Sequence, residues 1–165
     1  PFCMMHRKKL NAVIFLLLFF TAPVFAQKTV MPLNNNWQFR KKGDKEWLPA
    51  TVPGTVHTDL MAAGKIPDPY LKTNEKEVQW VENEDWEYTS TFELKREEIN
   101  AAEHVKLVFE GLDTYCDILL NGKSVLTTDN MFRSWQVDVT KKLRPGKNTL
   151  KLVFASGLGS IKILR

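Results

Sequence analysis

Hydrophobic and polar residues alternate one by one along most of the second half of this chain. Trp86, Tyr88, Ser90, Phe92 and Leu94 interleave with Glu87, Thr89, Thr91 and Glu93. A strand turns successive side chains to opposite faces, so a period of two marks a strand with one buried face and one wet face. The same alternation recurs at Val105-Leu107-Phe109, Cys116-Ile118-Leu120, Trp135-Val137-Val139 and Leu150-Leu152-Phe154. Asn121-Gly122 lies between two apolar-rich runs and predicts a type I′ hairpin, because both residues tolerate the positive φ that this turn needs. Ser124 to Thr127 is the returning strand, and Pro145-Gly146-Lys147-Asn148 marks a further turn. The predicted fold is all-β, an antiparallel sandwich stabilised mainly by its inward faces at roughly 25 cal/mol per Å² of apolar area.

Helix is expected in few places. Thr58 to Ala63, followed by Gly64 near the C-cap, predicts one short helix. Lys95 to Ala102 predicts a turn or two between strands. Residues 64–85, with Pro67 and Pro69, read as a loop, and a loop of that length inside a compact domain is more often functional than idle. After Ser156 the chain runs Gly157-Leu-Gly-Ser160 and then Ile161-Lys-Ile-Leu-Arg165, an atypical tail over residues 157–165. There is no internal repeat and no low-complexity segment.

The first 26 residues have the organisation of a secretory signal peptide. Arg7-Lys8-Lys9 form a basic start, Ala12 to Phe20 an apolar run, and Val24-Phe25-Ala26 a cleavage site before Gln27. The apolar run is shorter than the roughly 20 residues that a spanning helix needs, so a membrane contact is expected only through an uncleaved leader. The expected location is therefore secreted or periplasmic. Pro1-Phe2-Cys3 ahead of Met4-Met5 suggests a reading frame opened upstream of the true start.

Charge changes the picture little. The net +4 arises from 23 Lys and Arg against 19 Asp and Glu. Loss of Arg7, Lys8 and Lys9 with the leader brings it close to neutral. No Lys/Arg cluster interleaved with aromatics follows the leader, which excludes nucleic acid as the expected partner. Of the 2 cysteines, Cys3 leaves with the leader, so Cys116 has no disulfide partner and reads as a small buried hydrophobe beside Ile118 and Leu120. There is no phosphate-cradling Gly-rich loop, no Cys-x-x-Cys and no nucleophile elbow, and no cofactor or metal is expected.

Several blocks together are more specific than any one of them. They are Trp37-Gln-Phe39, Val52-Pro-Gly-Thr-Val-His-Thr-Asp59-Leu60, Asp68-Pro-Tyr70, Trp80-Val-Glu-Asn-Glu-Asp-Trp86-Glu-Tyr88, Phe109-Glu-Gly-Leu-Asp-Thr-Tyr115, Leu120-Asn-Gly122 and Asn130-Met-Phe-Arg-Ser-Trp135. As a set they resemble the N-terminal sandwich of the glycoside hydrolases that include β-mannosidases, β-galactosidases and β-glucuronidases. The Val-Pro-Gly-Thr-Val-His and Glu-Asn-Glu-Asp-Trp blocks favour the mannosidase branch. The resemblance implies a jelly-roll, galactose-binding-like domain over residues 27–156, incomplete at its end. It also implies an enzyme that releases terminal β-mannose, with β-mannosides or manno-oligosaccharides as partners. The chemistry of such enzymes resides in two Glu of a barrel that this chain does not contain. No catalytic residue is therefore expected here, and the missing C-terminal domains are expected partners. Ending before the Asp-Trp-Gly-Pro element of such domains, the chain is expected to be truncated and inactive alone. The alternative is a standalone carbohydrate-binding module.

The same resemblance gives the candidate site. Asn83 aligns with an Asn that offers its amide to the sugar in galactosidase relatives, and Asp85 and Trp86 lie beside it. Amides and carboxylates hydrogen-bond vicinal hydroxyls, and an indole offers a flat apolar face to C–H groups. Trp86 reads equally well as the core residue that begins its strand. The acids Glu82, Glu84, Asp85 and Glu87 read as a solvated cluster rather than a catalytic pair. His57 and His104, with no His or Cys at ligand spacing, read as structural. Arg133 is expected to hold its loop through hydrogen bonds, and Trp37, Trp47, Trp80 and Trp135 to pack in the core or at domain interfaces.

Overall fold

A computed structural model describes residues 29–71 and 73–156, and the residues from Leu33 onward form one compact unit. The expected leader, with its Ala26/Gln27 junction, and the 157–165 tail lie outside the described residues. In order, the elements are β1 (Gln38–Lys41), β2 (Leu48–Pro49), α1 (Val56–Ala62), α2 (Asn74–Val78) and a 3-10 helix (Gln79–Asn83). They continue with β3 (Trp86–Leu94), α3 (Arg96–Ala101), β4 (Lys106–Glu110), β5 (Cys116–Leu120), β6 (Lys123–Thr128), β7 (Ser134–Asp138) and β8 (Gly146–Phe154). A six-stranded sheet runs β2-β1-β3-β8-β5-β6, a two-stranded sheet pairs β4 with β7, and every pairing is antiparallel. This is the expected all-β antiparallel sandwich.

Register puts the alternating residues on one face. Across β3, β8 and β5, Tyr88 stands opposite Leu152 and Leu152 opposite Ile118, while Ser90 aligns with Leu150 and Leu150 with Leu120. That face is the core, with Phe39, Ile118, Leu120 and Leu150 all at most 2% exposed. Leu107 from β4 joins the same cluster, as do the partly buried Phe109 and, from β7, Val137. The hairpin between β5 and β6 has Asn121 at φ 53° and Gly122 at φ 81°, the two positive values that the sequence predicts. A bulge between Ile118 and Leu119 interrupts its register.

Polar residues close the turns. Asn148 is fully buried, and its amide donates to the Arg144 and Gly146 carbonyls while its oxygen accepts from the Arg144 N–H and the Asn121 amide. The Asn121 oxygen in turn accepts from the Thr149 N–H at 3.0 Å. Two distant turns are thus joined with every amide group satisfied, which a buried polar side chain needs.

The predicted helix near residue 58 is α1, starting earlier because Thr55 and Thr58 cap each other reciprocally. It ends where the Gly64 N–H donates to Met61 O and the Lys65 N–H to Leu60 O, with Gly64 at φ 65°. The turn or two expected near Lys95 is α3. Residues 64–85 differ from the loop that the sequence predicts, since residues 74–83 are helical. These turns are held by single anchors, with Val78 and Val81 buried and the Trp86 indole donating to Val81 O at 3.0 Å. Two anchors are too few to print a helical stripe on the sequence.

Candidate functional site

The antiparallel pairing of β1 with β3 brings consecutive cations to the acids that begin β3. Arg40 stands opposite Glu87, and the Lys42 N–H donates to the backbone oxygen of Asp85. The side chains follow: Arg40 meets Glu87 at 2.7 Å, Lys41 meets Glu84 at 3.5 Å and Lys42 meets Asp85 at 3.1 Å. Lys151 of β8 reaches the other oxygen of Glu87 at 2.7 Å. Burial opposes ionisation of Glu87, but Lys151 and Arg40 outweigh it and hold the carboxyl below its ordinary pKa. Glu84, Asp85 and Glu87 therefore form a row of ion pairs, while Glu82 of the same cluster is exposed and has no ion pair among the described residues. Sequence reading missed this because three of the cations lie some 40 residues upstream, in an Arg40-Lys41-Lys42 run, and Lys151 lies far downstream, a register that only the sheet reveals.

The predicted site residues separate into two settings. Asn83 is exposed at the end of the 3-10 helix, its amide donating to Gln79 O at 3.3 Å. Asp85 is half-buried at the start of β3, where it also accepts from the Ser156 N–H at 2.9 Å. Burial raises its pKa, and the Ser156 amide together with Lys42 more than reverses this, keeping it below the ordinary value. Trp86 turns the other way. It is 6% exposed, tilted against Phe39 at 6.0 Å and Trp80 at 6.1 Å, so the structure puts it in the core that begins the strand. Its side chain fixes the 3-10 helix that carries Asn83.

Two further residues shape this end of the sheet: Asp59, which sequence reasoning did not single out, and Trp80, which it expected to pack in the core or at a domain interface. Asp59 on α1 is 2% exposed and accepts from the Tyr88 hydroxyl at 3.1 Å and the Thr51 N–H at 2.9 Å. Burial, then the Asp59 charge, push the Tyr88 phenol well above its ordinary pKa, so it stays a donor. Trp80 is 40% exposed and borders a cavity of about 260 Å³ lined also by Asp44, Glu46, Leu48, Leu60 and Lys65. Only the acid within a Thr-x-x-x-Asp helix start hinted at the first, and nothing local at the second.

Elsewhere the candidates are structural. Cys116 is 1% exposed, and burial pushes its thiol up to about 12, so it is an inert hydrophobe. Arg133 stacks over the Trp135 ring at 4.1 Å, a cation–π contact rather than the expected hydrogen bonds, and the Trp135 indole donates to Asn130 O. Trp37 is buried, whereas Trp47 lies half-buried beneath Arg40. His57 is half-buried on α1, and among the described residues no group of three His, Cys, Asp or Glu is placed to hold a metal.

A six-stranded antiparallel sheet backed by a two-stranded one, with short helices over one end, defines a galactose-binding-like sandwich. The chain belongs to the glycosyl hydrolase 2 galactose-binding domain-like family, which matches residues 37–163. It is 38% identical over 138 residues to β-mannosidase B of Emericella nidulans, an alignment covering 81% of this chain and 16% of that protein. The crystal structure of a β-D-mannosidase from Dictyoglomus thermophilum superposes with a TM-score of 0.77 at 43% identity, covering 80% of this chain and 16% of that one. An exo-chitosanase from Amycolatopsis orientalis, at 18% identity and a TM-score of 0.67 over 78% of this chain and 17% of its own, shares the fold. The chain thus spans about a sixth of the length of the relatives it matches.

Proposed function

We propose that this chain is the N-terminal, sugar-binding-like domain of an exported β-mannosidase that removes terminal non-reducing β-mannose. The observation that carries this reading is the 43% identity and 0.77 TM-score to a β-D-mannosidase, well above the values for relatives of other specificity. In such an enzyme the bond is broken by paired carboxylates elsewhere. The contribution of this domain is positional. Asn83 and Asp85 border the sugar pocket: the Asn83 amide reaches one hydroxyl, and Asp85, fixed by Lys42 and the Ser156 amide, presents an ionised acceptor to another. Trp86 acts through them by anchoring the 3-10 helix. Export is supported by the basic start, apolar run and Ala26/Gln27 junction, so a secreted product is expected to begin at Gln27 in N-terminal sequencing.

The test is a chimera in which residues 33–156 replace the matching segment of the Dictyoglomus thermophilum β-D-mannosidase. The chimera is expected to hydrolyse an aryl β-mannoside, and the 165-residue chain alone is expected not to. Asn83→Ala in the chimera is expected to weaken transition-state binding by one hydrogen bond, lowering kcat/KM up to about tenfold. Hydrolysis by the chain alone, or a folded chimera indifferent to Asn83 and Asp85, overturns the reading.

A further inference from the structure

The cavity beside Trp80 lies between the β1–β2 turn, which supplies Asp44 and Glu46, and the end of α1, which supplies Lys65. Leu48 and Leu60 line it with apolar surface, and Trp80 gives a partly exposed indole backed by Trp86. Its cations are largely committed. Arg40 is bound to Glu87 and lies over Trp47 at 4.2 Å, and Lys41 is paired with Glu84. Lys65 is left, facing Glu46 at 4.0 Å. An anionic ligand would find one half-neutralised ammonium beside two carboxylates. Among the described residues the Asp44 carboxylate has no hydrogen bond or ion pair and remains a free acceptor. About 260 Å³ is just below the roughly 300–1,000 Å³ of pockets for drug-sized ligands.

We propose that this cavity is a secondary binding site for a neutral sugar ring, which lays an apolar face on Trp80 and gives its hydroxyl protons to Asp44 and Glu46. Lys65 donates to a ring or hydroxyl oxygen. A polyhydroxylated neutral ring matches each part of the lining: an aromatic plane, two acceptors and one donor, with little net charge. The site is distinct from the Asn83–Asp85 edge, and it rests on the proposed function only in the choice of mannose as first probe.

The experiment is an NMR titration of the 165-residue chain labelled at its indole nitrogens, with mannose, glucose and inorganic phosphate in separate arms. A saturable shift of the Trp80 indole signal in the millimolar range is expected with sugar and absent with phosphate. Asp44→Ala, on an exposed turn that carries no core contact, is expected to weaken binding about three- to tenfold. Trp80→Ala, read through the indole signal of Trp86 that backs it, is expected to abolish binding. No saturable shift with either sugar overturns the proposal, as does phosphate binding more tightly, or a sugar response unaltered by Asp44→Ala. A response lost in Asn83→Ala but kept in Asp44→Ala also overturns it, moving the ring to the other edge. These outcomes are independent of the chimera's activity, so the failure of one reading leaves the other standing.

Discussion

The two ends of the six-stranded sheet are built by different means. At the β5–β6 end the core face is aliphatic and small, with Cys116, Ile118 and Leu120 in strict alternation and a two-residue turn between the strands. At the β1–β3 end it is aromatic, with Phe39 lying 5.6 Å from Tyr88 and 6.0 Å from Trp86, and Tyr88 meeting Phe154 edge-on at 5.9 Å. The β5–β6 hairpin of the first end joins neighbours in sequence, although its turn is also tied to Asn148 and Thr149. The second depends on partners far apart: Asp59 to Tyr88, Arg40 to Glu87, and Asp85 to Ser156. Every candidate sugar contact lies at this second end.

Removal of one ring should show how far that end acts as a unit. Phe39 is completely buried between Trp86 and Tyr88, so Phe39→Ala is expected to cost about 3–5 kcal/mol in urea unfolding. It should also erase the near-ultraviolet dichroism of the aromatic cluster. Ile118→Ala, equally buried at the other end, should destabilise while leaving that signal in place. Equal loss of the signal in both variants would break the distinction between the two ends.

Asp59 tests the polar tie beneath the helices. Asp59→Ala strands the Tyr88 hydroxyl in a buried site and takes the acceptor from the exposed Thr51 N–H, an expected loss of about 2–3 kcal/mol. With Tyr88→Phe already present, the same change should cost less, and the coupling measures the bond itself. Additive losses would mean that Asp59 holds only the Thr51 loop.

A smaller effect is expected at the turn of the other end. Gly122 at φ 81° has open space where a Cβ would stand, so Gly122→Ala should cost only backbone strain, about 1–2 kcal/mol. A loss beyond that would mean that the hairpin is held by more than its turn.

What the sequence made legible follows the same division. Strands β3 to β8, the hairpin and the buried Cys116 follow from period two and from turn chemistry, both local, whereas β1 and β2, of four and two residues, are too short to show a period and were not expected. The helical turns at residues 74–83 escape because each is anchored by one valine, and the ion pairs of β1 with β3 escape because register is a property of the assembled sheet. The site is half legible for the same reason. Asn83 is exposed and Asp85 half-buried just ahead of the strand, where no periodicity reaches them, whereas the inward turn of Trp86 follows from its alternation with Tyr88 and Ser90.

The ion pairs offer the finest test, because their contribution depends on pH. Glu87 has a folded-state pKa below its ordinary 4.5, since Lys151 and Arg40 outweigh the opposing effect of burial. A carboxyl depressed in the fold stabilises fully above the unfolded pKa, and the benefit is lost as pH falls through the folded one. Unfolding free energy should therefore decline as pH drops below about 4.5, and Glu87→Gln should flatten that decline while lowering stability at neutral pH. Asp138, held to about 2 by the hydroxyl and N–H of Thr140 and by His104, titrates in a window reaching lower on β7. Asp138→Asn should thus leave the first part of the decline intact. A Glu87→Gln variant with an unchanged acid slope would mean that Arg40 and Lys151 do not favour the ionised form. The β1–β3 end would then be held by its aromatic rings and the Asp59 tie alone.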